Sequence, residues 1–258
     1  MKLAAVFAHP DDDAFGISGT CALHSEDVEL MVVFATSGES GRISDPILAT
    51  RETLGRVREA EALAAYRVLG IEPNLRFLRH PDGDVTRVPR EGLRREVEEA
   101  LEAFRPDVVI TFGPEGITAH EDHVAIGAVA TDAFDAVRER LGGAAPRRLL
   151  HIAIGQGLMD RLSDELRSRG LEPLDPTEPF QPRGVPDQTI GVRVDCSSVV
   201  GRKLDALREH RTQAADLEDL PQDLWPEVLS TEQFVIARPE RPRGAALLTD
   251  VFEALPDA

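Results

Sequence analysis

Short apolar runs alternating with helical patterns constrain this chain more than any other feature. "KLAAVFA" (2–8), "VELMVVFAT" (28–36), a segment around "RFL" near 74–78 and "DVVITFG" (107–113) occupy the first half. Between them lie helical patterns over 14–25, over an alanine-rich 46–69 with Gly70 as C-cap, and over an amphipathic 89–105 that stops before Pro106. Strands that are apolar throughout are buried on both faces, and their alternation with helices argues a parallel sheet. The expected fold is α/β: a Rossmann-like, mostly parallel sheet with helices on both faces.

The second half is less regular. It reads as a helix over 119–141, a strand over 147–155, a strand over 189–196, a helix over 197–215 and a late strand over 233–237. The stretch 171–188, "LEPLDPTEPFQPRGVPDQ", holds five prolines and reads as a long loop or a lid. No composition break divides the chain, so residues 1–258 are taken as a single domain.

Bulk properties narrow the function. Hydrophobic residues make up 42% and charged residues 29% of the 258, an ordinary globular mix. A formal net charge of -17 repels nucleic-acid phosphates and anionic membrane alike. No apolar run reaches the ~18 residues of a membrane span. The N-terminus shows one lysine and then a strand, unlike a signal peptide, and the expected location is cytoplasmic. Cys21 and Cys196 are far apart and have no CxxC partner, so they read as small buried hydrophobes.

In an open parallel sheet, ligands bind beyond the carboxyl ends of the strands. Two clusters fall there: His9, Asp11, Asp12 and Asp13 in "AHPDDD", and His120, Asp122 and His123 in "GPEGITAHEDH". Thr118-x-x-Glu121 has the form of a capping box. With Thr118 as N-cap, His120 and His123 share one face of the first helical turns, where the dipole keeps imidazole neutral and able to bind metal. Two histidines, one carboxylate and an open position make a catalytic zinc arrangement. A further carboxylate then stands beside it as a general base.

Each cluster has a plainer reading. HxxH alone describes surface or capping histidines, and "HPDDD" alone an acidic helix start. Both at strand ends is a narrower coincidence. "ATSGESG" (35–41) lacks the P-loop lysine and GxGxxG; it is a strand-to-helix loop, or it puts Glu39 on the crevice rim. Arg56 and Glu59 form a solvated i,i+3 pair, "PDGD" (81–84) is a turn, His151 is a core histidine, and His210 closes a helix. GxSxG is absent and neither cysteine neighbours a histidine, which favours attack by water over covalent catalysis.

"AHPDDD" after the first strand, combined with "AHEDH" after "TFGPEG", resembles the LmbE-like or PIG-L family of zinc-dependent N-acetylglucosaminyl deacetylases. "TSGESG", Arg56-x-x-Glu59 before "LGI", "LRHPDGDV" and Lys203 with His210-x-Thr212-Gln213 add to the likeness, which runs from about residue 3 to 213. The resemblance implies His9, Asp12 and His123 as ligands of Zn2+, or of another divalent metal such as Fe2+. It implies Asp11 as general base and His120 as the group that steadies the tetrahedral intermediate or acts as acid, oriented by Asp122. Arg56, Asp82 and Glu39 become substrate contacts. The family's first motif ends Asp-Asp-Glu, where this chain has Asp13. The implied partner is an amino sugar conjugate, and the implied assembly a homo-oligomer. Two other functions stay open: an amidase for a larger, thiol-type glucosaminyl conjugate, and a non-catalytic saccharide- or metal-binding module.

Overall fold

The computed structural model describes residues 1–217, 220–242 and 244–256. The expected strands form: β1 (Lys2–Phe7), β2 (Glu29–Phe34), β3 (Asn74–Phe77), β4 (Val108–Phe112), β5 (Arg148–Ala153), β6 (Val192–Asp195) and β7 (Thr231–Arg238). They make one sheet in the order β3-β2-β1-β4-β5-β7-β6. The first five run parallel, and β7 lies antiparallel between β5 and β6. All of β4 and nearly all of β1 and β2 are buried, which is why these strands read as unbroken apolar runs.

The helices are α1 (Asp12–Gly16), α2 (Ser18–Leu23), α3 (Leu54–Leu69), α4 (Arg90–Phe104), the single turn α5 (Gly116–Ala119), α6 (Glu121–Arg140), α7 (Gln156–Ser168), α8 (Val200–Glu209) and α9 (Trp225–Leu229). One layer joins α4 to α6; the other joins α1, α2 and α3 to α8. No helix among the described residues is long and apolar enough to cross a membrane.

Several boundaries differ from the sequence reading. The helix expected over 14–25 is two short helices meeting at Ile17, and the one expected over 46–69 begins only at Leu54. The stretch 171–188 is a loop, as its prolines require. Both cysteines are free and buried. His151 sits in β5 with Nε2 3.2 Å from the Thr131 hydroxyl, and burial pushes its pKa down to about 4.

Chain order reverses between β1 and β4: the sheet grows from β1 through β2 to β3 on one side and through β4 to β5 on the other. That is the topological switch point where the loops diverge and open a crevice. Both motif clusters follow these two strands.

Candidate metal and active site

The chain turns immediately after β1, and the Asp12 carboxylate builds the turn. Its Oδ2 accepts the N–H groups of Ala8 (3.1 Å) and His9 (2.7 Å). The Thr36 N–H and hydroxyl, just past β2, both donate to the Ala8 carbonyl and pin the turn to the sheet. The Asp12 Oδ1 is left to face His123 Nε2 at 3.2 Å.

The second cluster is placed differently from the capping-box expectation. Ile117 and Ala119 take left-handed backbone angles, which break the chain before a helix can start at Thr118. The N-cap of α6 is His120, whose Nδ1 accepts the Asp122 N–H at 3.2 Å. His120 and His123 still lie together, their rings stacked with centroids 4.9 Å apart.

Hydrogen-bond partners assign the tautomers. His123 Nδ1 lies 3.0 Å from the Gly116 carbonyl and must donate to it, so the Nε2 lone pair points into the cluster. His9 Nε2 lies 3.0 Å from Asp82 Oδ1 and 3.4 Å from Asp122 Oδ2, so it carries a proton and Nδ1 points inward. These two inward nitrogens face each other at 3.2 Å, with Asp12 alongside. Two lone pairs and a carboxylate converging on one point call for a cation between them. Carboxylates that fix the outer nitrogen of a histidine are the usual support of a metal-ligating imidazole.

The electrostatics express the same demand. Burial opposes a charge on His9, yet Asp122, Asp82 and Asp12 raise its pKa to about 10. Burial likewise opposes a charge on Asp12, but His123 and His9 hold its carboxyl well below the usual range. A divalent cation meets this demand while leaving the imidazoles neutral, so the donor set fits a metal. The ligand atoms of His9, His120 and His123 lie within 4.8 Å of one another, as do those of His9, Asp82 and Asp122. The second set gathers about the outer nitrogen of His9, where it orients the ring.

The profile of the PIG-L family, described as GlcNAc-PI de-N-acetylase, matches residues 4–134. A 1D-myo-inositol 2-acetamido-2-deoxy-alpha-D-glucopyranoside deacetylase of Geodermatophilus obscurus is 30% identical, the match covering 99% of this chain and 98% of the relative. The chain belongs to the PIG-L family. The deacetylase of the same description from Saccharomonospora viridis is 35% identical, over 97% of this chain and 99% of its own. In fold, the chain resembles the N,N'-diacetylchitobiose deacetylase of Pyrococcus horikoshii, with TM-score 0.60, 23% identity, and coverage of 91% of this chain and 83% of that one.

In this PIG-L chain, several of the expected site residues have protein partners of their own. Asp122 supports His120 only through its backbone N–H; its carboxylate reaches His9 and accepts the N–H groups of Gly83 (2.8 Å) and Val85 (3.0 Å). Asp82 uses Oδ1 on His9 and Oδ2 on the Ser40 N–H (2.8 Å), so each oxygen already has one protein partner. Glu39 Oε1 accepts the Asp82 N–H at 2.9 Å, which makes it a prop of that turn.

Arg56 is exposed, and the arginine that enters the cluster is Arg58. Its guanidinium lies 2.9 Å from Asp11 Oδ2 and donates to the carbonyls of Gly38 (2.9 Å) and Pro10 (3.3 Å). Gly38, at φ +68, leaves the space that the guanidinium fills; any side chain there would overlap it. Glu61, one turn further along α3, accepts the Thr212 N–H (2.9 Å) and hydroxyl (2.6 Å), tying the "HRTQ" segment to the same helix. The sequence reading missed Arg58 and Glu61 although their R-x-x-E spacing repeats that of Arg56 and Glu59. The missed signal is helical phase: Leu54, Arg58, Glu61, Ala62, Ala65 and Leu69 form the buried stripe of α3.

Asp13 is buried with Oδ1 unpartnered, and burial pushes its carboxyl up to about 7. His210 ends α8 as expected but is buried, and burial pushes its imidazole down to about 3, with Arg58 reinforcing the effect.

Proposed function

We propose that this PIG-L amide hydrolase removes the acetyl group from an N-acetylglucosamine conjugate, using a divalent cation held by His9, Asp12 and His123. Zinc suits the two imidazoles and one carboxylate best. The observation that carries this reading is the pair of inward ring nitrogens 3.2 Å apart, each with its outer nitrogen engaged by protein oxygens. Such a cation supplies a Lewis acid that polarises an amide carbonyl and makes water nucleophilic near pH 7.

Asp11 takes the proton from the attacking water and returns it to the leaving amine. Arg58 holds that carboxylate in place by its 2.9 Å contact. His120 acts from the other side. Its Nδ1 accepts a backbone N–H and burial lowers its pKa, so the neutral ring carries its proton on Nε2. That N–H donates to the carbonyl oxygen as negative charge develops. The products are acetate and the free amino sugar.

The relatives named for the inositol glucosaminide favour an inositol conjugate. The test is metal analysis of the purified protein, followed by assay of acetate and amine release across N-acetylglucosamine conjugates. Release of acetate from the inositol conjugate is expected. Release only of a larger acyl group would favour the thiol-type amidase. No release from a fully metal-loaded protein would leave the binding module and overturn the hydrolase.

A further inference from the structure

The proline-rich loop brings an exposed aromatic ring to the mouth of the crevice. Phe180 is 69% exposed and takes a left-handed φ of +62, an unfavourable combination for a residue without a task. Its ring centroid lies 5.5 Å from that of His120, at an interplanar angle of 43°. The loop is anchored just beyond it. The Arg183 N–H donates to the Ile117 carbonyl (2.7 Å), beside the His120 turn, and Val185 exchanges backbone hydrogen bonds with Ile154 and Gln156 at the end of β5. The chain just past the ring is thus tied to backbone beyond the ends of β4 and β5, which holds the ring at the crevice.

We propose that Phe180 is a specificity-determining residue whose ring takes the C–H face of the amino-sugar ring. The inference rests on the deacetylase reading above. If His120 donates to the amide carbonyl oxygen, the substrate docks against the same imidazole that the Phe180 ring flanks. Acidic groups line the floor, Asp11 and Asp82 among them, so they suit the polar edges of a sugar. A pyranose also has an apolar face of C–H groups, and an aromatic wall is its natural partner.

The test uses the metal-loaded full chain, with N-acetylglucosaminyl-inositol as substrate and glucosaminyl-inositol and acetate as product inhibitors. Phe180→Ala is expected to raise KM about 3- to 10-fold with kcat within about twofold, the pattern of lost binding that is uniform in ground and transition states. The inhibition constant of glucosaminyl-inositol should rise in parallel and that of acetate stay fixed. Phe180→Trp should retain wild-type KM. An unchanged KM in Phe180→Ala would overturn the proposal. So would a rise confined to acetate, which would put the ring on the acyl side, or a fall in kcat alone, which would mean the ring acts through His120. Calorimetric binding of glucosaminyl-inositol to wild type and Phe180→Ala decides the point even if no turnover is detected. Absent turnover counts against the deacetylase reading separately.

Discussion

The buried charge cluster around Glu232 and the one at the switch point are built on opposite principles. Where α2, α8 and β7 meet, the single carboxylate of Glu232 accepts the Lys203 ammonium (2.6 Å), the N–H groups of Gly19 and Thr20, and the Thr20 hydroxyl. Its charge is matched and both oxygens are satisfied. At the switch point, four carboxylates (Asp11, Asp12, Asp82 and Asp122) gather around the His9, His120 and His123 imidazoles and face the Arg58 guanidinium. The first cluster is closed and needs nothing from outside. The second has excess negative charge and two nitrogen lone pairs aimed at one point. A protein interior tolerates such an excess only where a cation completes it. Charge imbalance, more than burial or residue type, separates the site from the scaffold.

The sharpest way to test that contrast is to remove the proposed general base without touching the proposed metal ligands. Asp11→Asn keeps the shape and removes the proton acceptor. It should lower kcat by about 10²–10⁴-fold while metal content, read by elemental analysis, stays at the wild-type ratio. Lost metal would mean that Asp11 belongs to the ligand set.

The closed cluster should respond in the opposite currency. Lys203→Met leaves the Glu232 carboxylate buried without its counter-charge and should cost about 3–5 kcal/mol of stability, measured by urea unfolding. The activity of the remaining folded protein should hold. Glu232→Gln added to Lys203→Met should recover part of the loss, because Gln keeps an acceptor for the α2 N–H groups. A Lys203→Met protein of normal stability but low metal affinity would erase the distinction between the clusters.

His210 gives a smaller, pH-dependent difference. Its pKa falls from near 6.5 unfolded to about 3 folded. Between those values the unfolded state binds one proton more, so native stability falls as pH drops below about 6.5, by about 1.4 kcal/mol per pH unit. His210→Leu should remove that slope. Chemical denaturation of both proteins at pH 7 and pH 5 reads it directly, and equal slopes would contradict a buried neutral ring.

What the sequence made legible follows from how each feature is encoded. The central parallel strands β1, β2 and β4 stood out because burial on both faces leaves their interiors almost wholly apolar. The proposed ligands stood out because His9 and Asp12 follow directly on the end of β1, and His123 lies in the first turn of the helix that follows β4. The start of α6 did not stand out. Thr118 and Glu121 have the spacing of a capping box, but left-handed backbone at Ile117 and Ala119 is set by the packing of the turn, and neither residue type announces it. Nor could the sequence show which nitrogen of His9 the Asp82 and Asp122 carboxylates would engage, since those contacts join residues far apart in the chain.

The arginine pair of α3 is the case where the information was present in helical phase, and its solvent-facing member, Arg56, carries the smallest expected effect. Arg56 and Arg58 both precede a glutamate by three residues, so spacing alone cannot choose between them. Position on the helix can. Arg58 falls four residues after Leu54 and four before Ala62, on the buried stripe; Arg56 falls on the solvent side. A charged residue on an apolar stripe must have a partner, and Arg58 has Asp11, Gly38 and Pro10. Arg56→Ala should therefore leave kcat and KM within about twofold, as for most surface changes. Arg58→Ala should cost about 10- to 100-fold in kcat/KM, the scale of a lost charged hydrogen bond, with metal content retained. Arg58→Lys should recover only part, because a lysine cannot reach a carboxylate and two carbonyls with one planar fork. If Arg56→Ala proves as damaging as Arg58→Ala, the solvent-facing side of α3 contacts the substrate after all, and the acidic cluster extends further than the contacts of Arg58 define it.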